Sequence, residues 1–232
     1  MNHSPPGEPF DEFASQYHRL LGDPLRSRFA GDDDYFIHQK CRALLRELRA
    51  GLGAGPWRVL DVGCGQGTAL SFLSSHCRIV GADVSMAMLQ QCPPQTSVVA
   101  QEAFALPFVS RSFDAAFAFC VYHHIQAADH VRHLRELSRV VRPGGLVLVF
   151  EHNPLNPITR RVFMRAPIDR GCEMIPRRRL VEVFRQAGLE EIRHRYVLFV
   201  PQFLFSVLGF SEPHLARIPF GGQYYVAGRA PS

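Results

Sequence analysis

VLDVGCGQGTAL, residues 59–70, joins a short β-branched and leucine run to a helix-forming segment through three glycines at alternate positions, Gly63, Gly65 and Gly67. Residues 57–60 read as a buried strand, and residues 68–75 as the helix after the turn. A strand, a glycine-rich turn and a helix bring backbone close to a bound nucleotide. Glycine takes positive φ without strain and leaves no Cβ in the ligand's way. A dinucleotide fingerprint has its third small residue three positions after the second glycine, and here that place is Thr68. Asp61 ends the strand on a carboxylate, which repels a pyrophosphate and suits the ammonium of an amino-acid-bearing ligand. RIVGADV, residues 78–84, reads as a second strand ending on Asp83, an acid placed to accept hydrogen bonds from both hydroxyls of a ribose.

Outward from this unit, strand and helix patterns alternate. Ser85 caps a short helix to Gln91, with Met86 or Met88 toward the ligand. Residues 96–101 and 113–121 read as strands three and four, and residues 127–141 as an amphipathic helix with Val131, Leu134, Leu137 (or Ser138) and Val141 inward. RPGG, residues 142–145, reads as a helix stop and turn. Residues 146–151 follow as a central parallel strand. Residues 153–175 read as irregular, 176–188 as a helix, and 191–200 and 223–228 as two closing strands. The alternation predicts a parallel sheet with helices on both faces and a ligand crevice at the carboxyl ends of its strands. Asp61, Asp83, Glu102, His123, His124, Glu151 and His152 all fall at such ends. Ahead of the first strand, residues 10–21 and 35–52 read as amphipathic helices, the second with Phe36, Leu44, Leu45 and Leu48 on one side. They are free to fold over the ligand as a lid.

DVGCGQG and ADVS resemble the first and second motifs of the class I S-adenosylmethionine-dependent methyltransferases. The resemblance continues through QEAFALPFVSRSFDAAFAFCVYHHI and LRELSRVVRPGGLVLVFEH and covers roughly residues 10–189. It implies a Rossmann-like α/β fold: a seven-stranded sheet, mostly parallel with an antiparallel closing strand, helices on both faces and an N-terminal helical lid. Residues 1–56 are then the lid and 57–232 the methyltransferase domain, within a single structural domain. The implied cofactor is S-adenosylmethionine, released as S-adenosylhomocysteine. Gly63, Gly65 and Gly67 cradle its methionine part and Asp83 its ribose. Glu102, followed by Ala103, stands where the family often has an aspartate toward the adenine amino group, and Glu is a departure from that pattern. Tyr17 matches a tyrosine in an FDxxAxxY segment that closes over the cofactor, and reads equally as a packing residue. The expected cofactor set is Tyr17, Asp61, Gly63, Cys64, Gly65, Gly67, Asp83, Val84, Met88, Glu102, Ala103 and Cys120.

At 232 residues with 47% hydrophobic and 20% charged content, the chain can bury one sizeable core and has no composition for wholesale disorder. A net charge of +5 attracts anions without selecting among nucleic acid, anionic lipid and phosphorylated substrates. Arg160 with Arg161, and Arg177 to Arg179, read as solvated helix faces or as a phosphate site. No basic stripe is interleaved with aromatics, so nucleic acid is not an expected partner. The six cysteines are scattered without CxxC or CxxH spacing, which fits reduced thiols in a cytoplasmic protein and argues against a metal site; none is expected. MNHSPPGEPFDEF lacks the basic and apolar regions of a signal peptide. The apolar stretch 196–210 contains Pro201 and falls short of the roughly twenty residues that span a bilayer. The wider 196–221 connection still offers a surface for transient membrane or lipid-substrate contact.

Methyl transfer from a sulfonium is an in-line displacement in which the protein mainly supplies proximity and alignment. Where a base is needed, His123, His124 and His152 are the candidates, against a structural reading as hydrogen-bonded histidines. His123 and His124, in an extended segment, face opposite ways, so at most one enters the crevice. Phe203, Phe205, Leu208 and Phe210 read half as core and half as a lid over a greasy substrate. The expected acceptor is a small lipophilic or aromatic molecule; the alternative is a non-catalytic scaffold or partner subunit. A nicotinamide oxidoreductase is disfavoured by Asp61 and the glycine spacing. A nucleic-acid amino-methyltransferase is disfavoured because CVYHHI replaces an Asn/Asp-Pro-Pro-aromatic motif. The acceptor atom and the oligomeric state are not legible.

Overall fold

The valine and leucine run at residues 58–62 forms the strand that lies third from one edge of the sheet, buried on both faces, with a glycine loop leaving its carboxyl end. The computed structural model describes residues 8–32, 34–102 and 104–232; Ala103 and the first seven residues of the expected lid lie outside them. The strands are β1 (Arg58–Val62), β2 (Arg78–Asp83), β3 (Val98–Ala100), β4 (Phe113–Phe119), β5 (Val141–His152), β6 (Glu190–Val197) and β7 (Gln223–Arg229), in the sheet order β3-β2-β1-β4-β5-β7-β6. Strands β1 to β5 pair in parallel, and β7 runs antiparallel between β5 and β6. This is the Rossmann-like sheet the sequence implies.

The helices are α1 (Glu8–Phe13), α2 (Tyr17–Leu21), α3 (Pro24–Ser27), α4 (Asp34–Leu52), α5 (Thr68–Leu73), α6 (Met86–Leu89), α7 (His130–Val140), α8 (Pro157–Phe163), α9 (Arg177–Gln186), α10 (Gln202–Leu208) and α11 (Glu212–Leu215). Strand alternation divides the core in two. Leu60, Val62, Ala116, Val147 and Val149 pack with Leu134 and Leu137 of α7 and Leu180 and Phe184 of α9. Val59, Ala115, Phe117, Leu146 and Leu148 face Leu44, Leu45 and Leu48 of α4 and Ala69 and Leu73 of α5. With both faces covered, the central strands carry continuous apolar runs, and each fully buried Leu or Val contributes about 1.5–3 kcal/mol.

Several expectations are corrected. Residues 10–21 are not one helix, because a 3-10 turn at Ala14–Gln16 separates α1 from α2. RPGG is not a separate turn but part of β5. Val141 already pairs with Phe113 and Leu146 with Ala115, so the intervening residues bulge out, with Gly144 at a φ of 72°. The stretch read as irregular contains α8, started by Asn156, whose side chain accepts from the Ile158 and Thr159 amides, and by Pro157 in the first turn. Phe36 leaves the core side of α4 and is only partly buried. None of Phe203, Phe205, Leu208 and Phe210 is core, as α10 buries no residue and Phe203 and Phe210 are 71% and 74% exposed. Among the described residues, no helix is long and apolar enough to cross a membrane.

Candidate active site

Past β1 the chain turns through Gly63 and Gly65, both at positive φ, 77° and 53°. The Gly63 and Cys64 amides donate to the Ala82 carbonyl at 2.7 and 3.2 Å, and the Gly65 amide donates to Asp83 Oδ2 at 2.8 Å. The Ser85 amide donates to Asp83 Oδ1 at 2.9 Å. Asp83 is thus held through one bond on each oxygen and keeps lone pairs for a ligand. A Cβ on Gly63 would lie 2.4 Å from Val121 Cγ2, whereas one on Gly65 would meet nothing within 4 Å. Packing therefore requires Gly63 to be glycine, while Gly65 faces open space. Asp61 is 1% exposed, and neither of its oxygens has a hydrogen-bond partner among the described residues. Burial, then the charge of Asp83, raises its carboxyl well above the usual range, against the pull of Lys40.

At the carboxyl end of β4 the chain tightens into a 3-10 turn, Tyr122–His124. Glu151 Oε1, near the end of β5, holds this turn by accepting from the Tyr122 and His123 amides at 2.8 and 3.3 Å. Glu151 Oε2 lies 2.8 Å from His123 Nδ1, and Asp169 Oδ1 lies 3.3 Å from His123 Nε2. Burial opposes a charge on His123, but Glu151 and Asp169 outweigh it and push its pKa up to about 10. Burial likewise opposes the charge on Glu151, yet His123 holds it down at about 2. His124 and His152 are pushed down to about 4, by burial first and then by the charge of His123.

The reading that His123 and His124 face opposite ways is corrected. In a 3-10 turn, unlike a strand, consecutive rings can share a side; theirs are 4.1 Å apart, and His124 Nε2 stands 3.5 Å from the same Asp169 oxygen. The His152 ring is 5.3 Å from that of His123, and Phe163 packs edge-on against both at 5.4 Å.

A cavity of about 1140 Å³ opens where these strand ends meet. Tyr17, Gly63, Gly65, Asp83, Val84, Met88, Cys120, His123, His124 and His152 line it, while Asp61, Cys64, Gly67 and Glu102 do not. Met86 points outward and is 52% exposed. Glu102 is exposed, and its neighbour Gln101 takes the wall, with Oε1 buried and unpartnered among the described residues. The Cys64 thiol turns instead to Gly81, where an added Cβ would come within 2.7 Å of the sulfur. Among the lining residues the sequence reading missed are Gln101, Lys40 and Asp169. Lys40 is 5% exposed, with Nζ 3.7 Å from Cys120 Sγ and 4.8 Å from the centre of the Phe119 ring. The N-terminal helices form one wall. Gln66 Nε2 donates to the Ala14 carbonyl at 2.8 Å, Asp11 accepts from Ser85 Oγ and the Ala87 amide, and Phe10 meets the His124 ring edge-on at 4.9 Å. Burial, then the charges of Cys120 and Asp169, raises the Tyr17 hydroxyl to about 12.

A family model described as a methyltransferase domain matches residues 60–149. A ubiquinone/menaquinone biosynthesis C-methyltransferase of Syntrophotalea carbinolica is 30% identical over 185 residues, 66% of this chain and 76% of that relative. The chain belongs to the S-adenosylmethionine-dependent methyltransferases. This methyltransferase is also 36% identical over 93 residues to a tRNA (carboxymethyluridine(34)-5-O)-methyltransferase of Arabidopsis thaliana, across 39% of the chain and 23% of the relative. The chain spans less than half the length of several curated relatives it matches. A solved methyltransferase structure from Thermotoga maritima, described as a possible histamine N-methyltransferase, has a TM-score of 0.71 at 20% identity, over 96% of this chain and 99% of that one, and shares the fold.

The residues of this methyltransferase fit the family's cofactor. Gly65 leaves backbone open to the cavity, Asp83 retains acceptor capacity, and Lys40 presents a buried cation. The Gln101 amide oxygen, on the cavity wall, is a buried acceptor without a protein partner among the described residues, and such a group is costly unless a ligand completes it; Asp61 is likewise unpartnered but lies off the wall.

Proposed function

We propose that the chain transfers the methyl group of S-adenosylmethionine to a small lipophilic or aromatic acceptor. The observation that carries this reading is that one cavity contains both the Gly65–Asp83 cradle and an apolar region bearing the histidine cluster, lined by Phe36, Ile37, Phe119, Val162, Phe163 and Phe199. The similarity to a quinone-pathway C-methyltransferase supports an aromatic, isoprenoid-bearing acceptor. Bound in the cradle, the cofactor supplies a methyl group already activated on a sulfonium. The protein then has to bind, align and exclude water.

In this reading Asp83 accepts from the ribose hydroxyls and Lys40 faces the carboxylate. Met88 and Gln101 flank the adenine. The N-terminal helices act as a lid, and Tyr17 closes it. His123, charged between Glu151 and Asp169, fixes the turn that carries His124. His124 and His152 stay neutral near pH 7, and His124 accepts a hydrogen bond from the acceptor without being a strong base. That suits an acceptor whose nucleophilic atom is already acidic, such as a phenol or hydroquinone.

Calorimetric titration with S-adenosylmethionine, with NADH in parallel, tests the cofactor part. Micromolar binding lost in Asp83→Ala is expected; absence of binding favours the scaffold reading. Mass spectrometry of methylated product from soluble and isoprenoid phenols tests the acceptor. Methylation confined to tRNA would overturn the small-molecule reading.

A further inference from the structure

His123, His152 and Asp169 stand 29 and 17 residues apart in sequence, so no local motif announces them. The fold brings two imidazoles and one carboxylate together at the cavity wall, with one potential donor atom from each lying within 4.8 Å of the others. His123 Nε2 and Asp169 Oδ1 are 3.3 Å apart. A divalent ion with bonds of about 2.0–2.2 Å needs its donors roughly 3–4 Å apart, so the cluster is near that spacing before any ion enters.

The surroundings are those of a metal-ligating histidine. The far nitrogen of His123 is held by buried Glu151 at 2.8 Å, the carboxylate contact that fixes ring orientation in such sites. Phe163 packs edge-on against both rings, limiting their rotation. All three residues line the cavity, so an ion there would keep open positions toward the space assigned to the acceptor. Two histidines and one carboxylate with open positions suit a divalent first-row transition ion.

We propose that His123, His152 and Asp169 form a binding site for one divalent transition-metal ion on the acceptor side of the cavity. An ion at His123 Nε2 needs that nitrogen unprotonated, so a proton held there is released to solvent on binding. The role of the ion rests on the methyl-transfer reading: it takes an acceptor oxygen as a further ligand and fixes it in the cavity.

The test uses the chelator-treated 232-residue chain titrated with Co²⁺ alone, read by its visible d–d absorption, and with Zn²⁺ alone by calorimetry. One equivalent binding with micromolar or tighter affinity is expected, weakened at least tenfold in Asp169→Asn and in His152→Gln, and unchanged in Asp83→Ala. Absence of saturable binding by the wild type overturns the proposal whether or not the variants fold, as does equal binding by folded Asp169→Asn and His152→Gln. S-adenosylmethionine titration of the same samples separates the two readings. Cofactor binding without metal binding defeats the metal site alone, and metal binding without cofactor binding defeats the methyl-transfer reading.

Discussion

Gly63 and Gly65 share a left-handed backbone but have different neighbours, so their alanine variants should part ways. In Gly63→Ala the new methyl lies 2.4 Å from Val121. Left-handed strain and overpacking together cost about 2–5 kcal/mol, seen as a fall in melting temperature by calorimetry. Gly65→Ala carries only the strain, about 1–2 kcal/mol, and its methyl enters the cavity instead. Its expected signature is a weakening of S-adenosylmethionine binding by roughly tenfold or more, about 1.4 kcal/mol. Equal stability losses in the two variants would contradict this division. Lys40→Met keeps most of the buried stem and removes the cation, so the fold should persist while cofactor affinity drops. These residues also show what a sequence reveals. The glycines, Asp61 and Asp83 are legible because strand, turn and strand set their spacing locally. Lys40 sits on an amphipathic helix, Gln101 at a strand end next to the favoured Glu102, and Asp169 in a proline-rich loop. Only tertiary packing brings those three to the cavity.

At the scale of elements, apolar content proved a poor guide to burial. Phe203, Phe205, Leu208 and Phe210 read as half core, yet Phe203, Val207 and Phe210 are 71%, 67% and 74% exposed. Leu198, Phe199 and Phe220, which flank the same connection, line the cavity. In the proposed reading, a lipophilic acceptor in a membrane or micelle meets this exposed apolar face. Changing Phe203, Val207 and Phe210 together to serine should shift stability by less than about 1 kcal/mol, because exposed positions contribute little. Binding to phosphatidylglycerol-containing vesicles should fall, with turnover of a water-soluble phenol unchanged. A large drop in the urea midpoint would mean that these side chains are buried in solution. The 3-10 turn of His123 and His124 was illegible for a related reason. It exists because Glu151, on the next strand, captures two amides, and no local propensity of CVYHHI encodes that contact.

At the scale of the whole molecule, an apolar sheet covered on both faces crowds its polar groups onto one carboxyl edge, and this sets the response to pH. His124, His133 and His152 are each pushed down to about 4, burial being the first cause. Between an unfolded value of about 6.5 and that folded value, the unfolded chain binds protons the folded chain refuses, so these groups make stability fall as pH drops. His123 acts in the opposite sense. Raised to about 10, it adds stability that is complete below about pH 6.5 and fades as pH climbs toward 10. Glu151, lowered to about 2, adds stability present above about pH 4.5 and lost on further acidification. Asp61 and Asp83, raised by burial, act in the same sense as His123 and offset part of the acid loss. The contributions together place the maximum near pH 6.5, with three histidines outweighing two carboxyls below it. Urea unfolding at pH 8, 6.5 and 5 in chelator-containing buffer should give its highest midpoint at 6.5. His133 lies outside the proposed metal ligands, so His133→Gln isolates the fold's own share. It should flatten the acid limb by at most one proton, about 1.4 kcal/mol per pH unit, and leave the alkaline limb alone. A wild-type midpoint that keeps rising from pH 6.5 to 5 would contradict the dominance of these buried histidines over the raised Asp61 and Asp83 carboxyls on the acid limb.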